Sequence, residues 1–194
     1  MRNTRAEAIR PQSAQSVRPS VADRMLDAAQ RLVMQTGARR LSLTEVATRA
    51  GVSRPTLYRY FTSKEELIEA LGKREYRRFN TAMAAAVANA IGVQRLEAAI
   101  DVAAGFLQDQ PPRDLVDLDS GFVNDEMARV LPMMTAALAE VFAVGVDENV
   151  IPCGADPTDL AAAIARTALS HYIFRDNDPT AARRQMRAAA GLTR

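Results

Sequence analysis

The chain has 194 residues, of which 48% are apolar and 25% charged, with one cysteine and one histidine. That length suits one compact unit or a small head joined to a larger body. No apolar run approaches the roughly 18–20 residues of a membrane span, and a single thiol excludes an internal disulfide framework. The formal charge of +2 is unevenly spread: residues 1–78 hold 16 Lys/Arg against 8 Asp/Glu, and residues 79–194 hold 9 against 15. One end therefore suits a polyanion and the other does not.

Residues 1–19 read as a disordered basic arm, with Arg2, Arg5, Arg10 and Arg18 among Pro11, Pro19 and polar residues. The first helix starts at Ser20, where Ser20 and Asp23 have capping-box spacing, and repeats Val21, Met25, Ala28 and Leu32 along one face up to Gly37. A second capping box, Ser42 with Glu45, and a staple of Leu41 with Val46 predict a short helix ending at Ala50 before Gly51. Ser53 caps a third helix that reaches about Tyr60 or Phe61, with Pro55 tolerated in its first turn. Ser63 with Glu66 opens a long fourth helix over roughly residues 63–88.

The fifth helix spans roughly residues 93–108 and is stopped by Pro111-Pro112. Residues 114–129 are expected to hold one short helix or two, with Pro132 in the first turn of the next. Asp156-Pro157 and Asp178-Pro179 each combine an N-cap with a proline at the first helical position, which predicts two final helices. No segment alternates as a strand does, so the fold class is all-α.

Residues 42–61 set two short helices about the tight turn Ala50-Gly51-Val52-Ser53, the pattern of a helix-turn-helix. The second of them offers Arg54, Thr56 and Arg59 on its outer face, beside Tyr58 and Tyr60, the residue types that read a major groove. Ser42 and Thr44 lie at a helix start, where hydroxyls and unpaired N–H groups hold a phosphate, and Lys64 lies at another. The alternative for the same residues is a helical hairpin with a solvated polar face.

The run Leu43-Thr44-Glu45-Val46-Ala47-Thr48-Arg49-Ala50-Gly51-Val52-Ser53-Arg54-Pro55-Thr56-Leu57-Tyr58-Arg59-Tyr60-Phe61-Thr62-Ser63-Lys64-Glu65-Glu66-Leu67 closely resembles the signature of the tetracycline-repressor (TetR) family. The resemblance covers residues 21–70; beyond residue 75 only the helical pattern agrees. It implies a three-helix DNA-binding head over residues 20–66 and a helical ligand-binding and dimerisation body over residues 67–194. It also places Thr44, Arg54, Pro55, Thr56, Tyr58, Tyr60 and Lys64 at DNA-contacting positions. Tyr60 stands where many relatives have histidine, and Pro55 restricts which side chains at the front of the helix reach base edges.

The other chemistry-bearing residues assemble no catalytic set. HExxH, CxxC and GxSxG are absent, and His171 shares a stripe with Leu160, Ile164, Thr167 and Phe174, which suits a packed or interfacial histidine or a polar ligand contact. Phe106, Phe122, Met127, Met134 and His171 are the candidate ligand residues, since methionine and aromatic side chains adapt to apolar ligands; core packing is the alternative for each. The alanines of the last two helices, Ala161–Ala163, Ala165, Ala168, Ala181, Ala182, Ala188 and Ala189, suit either a close dimer interface or simple helix propensity. The expectation is a cytoplasmic homodimeric repressor, not an enzyme, without cofactor or metal. It binds double-stranded operator DNA and is released by a largely apolar small molecule. A DNA-binding regulator without a ligand and a helical-bundle enzyme are the alternatives.

Overall fold

The computed structural model describes residues 19–108, 120–147, 150–151, 156–174 and 177–192, with side chains for all of these except 107–108 and 120–126. Among the described residues there are eight α-helices and no strand: α1 (Val21–Thr36), α2 (Leu43–Ala50), α3 (Arg54–Tyr60), α4 (Lys64–Val87), α5 (Gly92–Gln108), α6 (Ser120–Asp147), α7 (Pro157–Ile173) and α8 (Ala181–Ala189). A 3-10 turn over Ala38–Arg40 joins α1 to α2. The basic arm read from the sequence falls almost wholly outside the described residues, as do Pro111-Pro112 and Cys153.

The caps explain where the first helices begin. Ser20 accepts from the Asp23 amide while Asp23 accepts from the Ser20 amide, the full reciprocal box. Ser53 accepts from the Thr56 amide and Ser63 from the Glu66 amide. The expected box at Ser42 does not form, because its hydroxyl makes no cap bond. Glu45 instead lies 3.5 Å from Arg49, one turn further along α2. Gly51 ends α2 in the left-handed region at φ 66°, which a residue with a Cβ adopts only under strain.

Two apolar cores organise the molecule. The first gathers Met25, Ala29 and Leu32 of α1, Leu41, Val46 and Ala50 around α2, Leu57 and Phe61 of α3, and Leu67 and Leu71 of α4. The second gathers Phe79 and Met83 of α4 with Leu96, Ile100, Met134, Leu138, Phe142, Ile164 and Met186 from α5 to α8. Each large side chain buried this way contributes roughly 1.5–3 kcal/mol. Within the second core, α6 lies close against α5 at Gly145, where a Cβ would stand 2.9 Å from Leu96 Cδ2.

Three expectations for the body are corrected. Pro132 lies inside α6 and not at a helix start, so one helix of 28 residues replaces two or three shorter ones. Pro132 is solvent-exposed, where water can satisfy the backbone group that its missing N–H leaves unpaired. The stretch Met127–Asp147 is also long and apolar enough to cross a membrane by length and composition alone, although Arg129 and Glu140 interrupt it in the sequence. In this fold its Met134, Leu138, Val141 and Phe142 are buried in the second core. Finally, α8 begins at Ala181 and not at Pro179, because Asp178 closes a turn of its own, accepting from the Thr180 amide at 2.8 Å and the Thr180 hydroxyl at 2.6 Å.

Those two bonds and a third from Arg184 Nη1 at 2.6 Å hold the Asp178 carboxyl at about 2, below its ordinary 3.8. A lowered carboxyl stabilises the fold above its unfolded value and loses that effect as pH falls through the folded one. The first-turn amides of α8 should therefore keep their NMR shifts as pH falls past 3.8 and change with a midpoint near 2. Asp178→Asn should show the changed shifts already at neutral pH. A midpoint at the ordinary aspartate value would mean that the turn is not held this way.

Candidate nucleic-acid interface and ligand cavity

Helix α3 has seven residues, too few to persist alone in water. Its inward side chain, Leu57, is fully buried, and Phe61 just past its end is nearly so. Everything else on it faces out: Arg54, Pro55, Tyr58, Arg59 and Tyr60 are exposed and Thr56 is half-buried. Tyr58 and Tyr60 are half and two-fifths exposed. The Arg59 guanidinium sits 5.6 Å from the centre of the Tyr60 ring. The outer face of this short helix thus carries two arginines, two phenols and a proline, with no packing duty on that side.

The flanking candidates divide. Ser42 is exposed at the start of α2 with its hydroxyl free of a cap bond, and Thr44 is half-buried beside it. Both stand where the first N–H groups of a helix await an anion. Thr56 is tied locally, its Oγ1 2.8 Å from Ser53 Oγ. Lys64 reaches back across the fold to donate to the Arg39 carbonyl at 2.6 Å. That bond fastens the turn before α2 to the start of α4, and an ammonium has further donors for a phosphate. Beside it, amide and hydroxyl bonds from Thr62 pull the Glu66 carboxyl below its ordinary range.

A cavity of about 320 Å³ opens between the two cores. Its walls come from α1 (Gln30, Val33, Met34), from α4 (Ile68, Gly72, Tyr76), from Phe106 of α5, from α6 (Met127, Val130, Met133) and from Leu169 and Tyr172 of α7. Of the candidate ligand residues, Phe106 and Met127 line it. Met134 is fully buried in the second core. His171 lies outside the lining, with Nε2 3.1 Å from Gln185 Oε1 on α8. The side chain of Phe122 lies outside the described residues. The contribution of α1 was not foreseen: Val33 and Met34 lie off the face of Val21, Met25, Ala28 and Leu32 that the sequence singles out.

One further residue connects the cavity to the head. Arg74 of α4 is only 13% exposed and donates to Asp27 Oδ1 at 2.7 Å and to Gln30 Oε1 at 2.8 Å, both on α1. Its Nε is buried without a hydrogen-bond partner, 3.7 Å from Glu75. No sequence pattern marks this contact, since its partners lie 44 and 47 residues away.

The comparisons with known proteins agree with this architecture. Residues 25–71 match the family model of bacterial regulatory proteins, tetR family. An uncharacterized HTH-type transcriptional regulator of Mycobacterium tuberculosis is 40% identical over 91 residues, which cover 46% of this chain and 45% of that relative. The match thus spans less than half the length of the relative. The fatty acid degradation regulator FadR of Bacillus halodurans superposes over 91% of this chain and 95% of its own with a TM-score of 0.71 at 19% identity. The SmeT–triclosan complex superposes over 89% of each chain with a TM-score of 0.63 at 17% identity. At such identities these likenesses show the fold. The matched head is a helix-turn-helix domain of the kind that transcriptional regulators carry. Over residues 25–71, the head matches the helix-turn-helix of bacterial regulatory proteins of the tetR family.

The Arg74 contact yields a stability prediction. Arg74→Leu leaves Asp27 and Gln30 without their partner, and Arg74→Lys cannot serve both acceptors from one point charge. Urea unfolding should show a loss of roughly 1–3 kcal/mol for Arg74→Leu and only partial recovery for Arg74→Lys. An unchanged midpoint in both would mean that α1 and α4 are held by apolar packing alone.

Proposed function

We propose that the protein is a homodimeric repressor that holds operator double-stranded DNA through α3 and releases it when a largely apolar small molecule enters the cavity. The observation that carries the reading is the shared wall: α1, part of the DNA-binding core, and α4 to α7 of the body line one cavity. A ligand there touches both parts at once and can favour one arrangement of head on body over another. A ligand-bound relative in the same fold, the SmeT–triclosan complex, supports a small-molecule role.

In this reading Arg54, Thr56, Tyr58 and Arg59 face base edges, with Pro55 setting the front of the helix, while Ser42, Thr44, Tyr60 and Lys64 hold phosphates. Residues 1–19 form a basic arm, 20–66 the head and 67–194 the body. Two copies meet through α7 and α8, where Ala163, Ser170, Ala188 and Ala189 are exposed and Phe174 is 69% exposed at the end of α7. Phe174 is the kind of apolar side chain that a second chain covers. The site of action is the cytoplasm, where the DNA is.

Duplexes selected from a random pool provide the test. Wild-type affinity should fall steeply with salt, with a log–log slope of about −0.9 per phosphate neutralised. Arg54→Ala or Arg59→Ala should cost ~1–3 kcal/mol on the selected sequence and flatten the preference over random DNA, whereas Lys64→Ala should weaken both alike. A slope near zero, or no selected sequence at all, would overturn DNA binding. Equal losses on both DNAs for the two arginine variants would reduce them to positioning contacts.

A further inference from the structure

The methionines of the chain fall into two groups by where they pack. Among the described residues, Met25, Met83, Met134 and Met186 are buried in the two cores. The remaining three, Met34, Met127 and Met133, are half-buried, and all of them line the cavity between the cores. Met34 comes from α1, on the head side, and the other two from α6 of the body. Met133 and Met134 are neighbours in the chain, yet the helix turns them about 100° apart. One faces the cavity and the other is fully buried in the second core. Packing alone does not require that sorting, because a thioether fills irregular space equally well in a closed core.

A half-buried thioether on an open cavity differs chemically from one sealed in a core. Its sulfur meets small oxidants that reach the cavity from solvent, and a space of about 320 Å³ admits one the size of hypochlorous acid. Among the described lining residues there is no cysteine, whose thiolate would react first. Oxidation turns a flexible apolar side chain into a polar one with a strong acceptor oxygen. The side chains of Val33, Ile68, Leu71, Phe106 and Val130 on the same walls have no donor to offer it. Such an oxygen must turn toward water, and doing so draws its helix back from the opposite wall.

We propose that Met34, Met127 and Met133 form a reversible oxidation site at the junction of the two cores, modified by hypochlorous acid. In the forward step each thioether sulfur gives an electron pair to the oxidant and takes its oxygen. The sulfoxide forms, the O–Cl bond breaks, and chloride and a proton leave. Sulfur is oxidised by two electrons and chlorine is reduced by two. In the reverse step a methionine sulfoxide reductase supplied with a dithiol removes the oxygen as water, and the dithiol becomes a disulfide. The new S=O groups part α1 from α6 across the cavity, so the oxidised chain is less stable and holds DNA more weakly. Only the effect on DNA rests on the proposed function; the oxidation site stands on burial and chemistry.

The test treats the full chain, carrying Cys153→Ser to remove the one thiol, with graded hypochlorous acid. Peptide mass spectrometry with fragmentation reads each methionine separately. Met34, Met127 and Met133 should gain one oxygen roughly tenfold or more faster than Met25, Met83, Met134 and Met186, with Met133 against Met134 the sharpest comparison. At the dose that converts the three, the thermal midpoint should fall by roughly 2–4 °C or more. Affinity for the selected duplex should fall roughly fivefold or more. The two methionine sulfoxide reductases, one for each epimer, should restore both. Combining Met34→Leu, Met127→Leu and Met133→Leu conserves volume, and that variant should lose both responses relative to its own untreated sample. The reductase arm has no methionine replaced, so it decides even where the triple variant does not fold. Met134 converted as fast as Met133 overturns the site. A fall in midpoint that the reductases do not reverse, or that persists in the triple variant, assigns the damage elsewhere and overturns it too. Sulfoxides at all three positions with an unchanged midpoint overturn the loosening of the junction, and a lowered midpoint with unchanged DNA affinity removes its effect on DNA. A chain that binds no DNA even untreated fails the proposed function, while the mass map and the midpoint still judge the oxidation site.

Discussion

The structure depends on a single helix being sunk into two cores. Leu67 and Leu71 of α4 are buried with α1 to α3, and Phe79 and Met83 of the same helix are buried with α5 to α8. Twelve residues separate Leu67 from Phe79, about 18 Å at 1.5 Å per residue. Both cores are packed too tightly to let a helix slide by small amounts. The head and the body thus share one rigid helix. Arg74 lies between the two burials and clamps the rod to α1 through Asp27 and Gln30.

The groove-facing helix depends on that arrangement as well. Seven residues cannot hold themselves helical, so α3 takes its order from Leu57 and Phe61 below it and from the Ser53 cap in front. Its outer face is thereby freed from any packing duty and can carry Arg54, Tyr58 and Arg59 into solvent. The bond from Lys64 to the Arg39 carbonyl works on the same principle, joining the start of α4 to the turn that aims α2. Elements that meet DNA are positioned by contacts on their far side.

Local signals made much of the head legible before any coordinates. Ser20 with Asp23, Ser53, Gly37 and Gly51 act within three or four residues of themselves, and so do the structures they dictate. The glycine turn and the outward side chains of α3 were readable for the same reason. What failed was non-local. Pro132 looked like a helix start because proline favours that position, yet it lies on the exposed side of a helix whose other face is held by α5 and α7. Asp178 looked like an N-cap and instead closes a turn with Thr180 and Arg184. Met134 and His171 share the residue types of a ligand site, but helix packing turns one into the core and the other toward Gln185. The cavity needs α1 and α6 to border one space, and no periodicity within either helix announces that.

The size of the cavity limits how the protein can respond. Moving a two-state equilibrium from one part in a hundred to its reverse takes about 5.5 kcal/mol of differential binding. An eight-carbon chain fully removed from water supplies about 6 kcal/mol at ~0.8 kcal/mol per methylene, before ordering costs are subtracted. Only the part of that gain realised in one arrangement and not the other counts toward the shift. In the proposed reading, a ligand of that length therefore has little free energy to spare for a deeply biased switch. Such a regulator works only with head and body close to balance and with individually modest contacts between them. The interface fits that requirement: one partly exposed arginine on two partners, a bare glycine, and methionines that repack at little cost. A tighter seam between the cores would make a more stable protein and a regulator that a ligand of this size could not move.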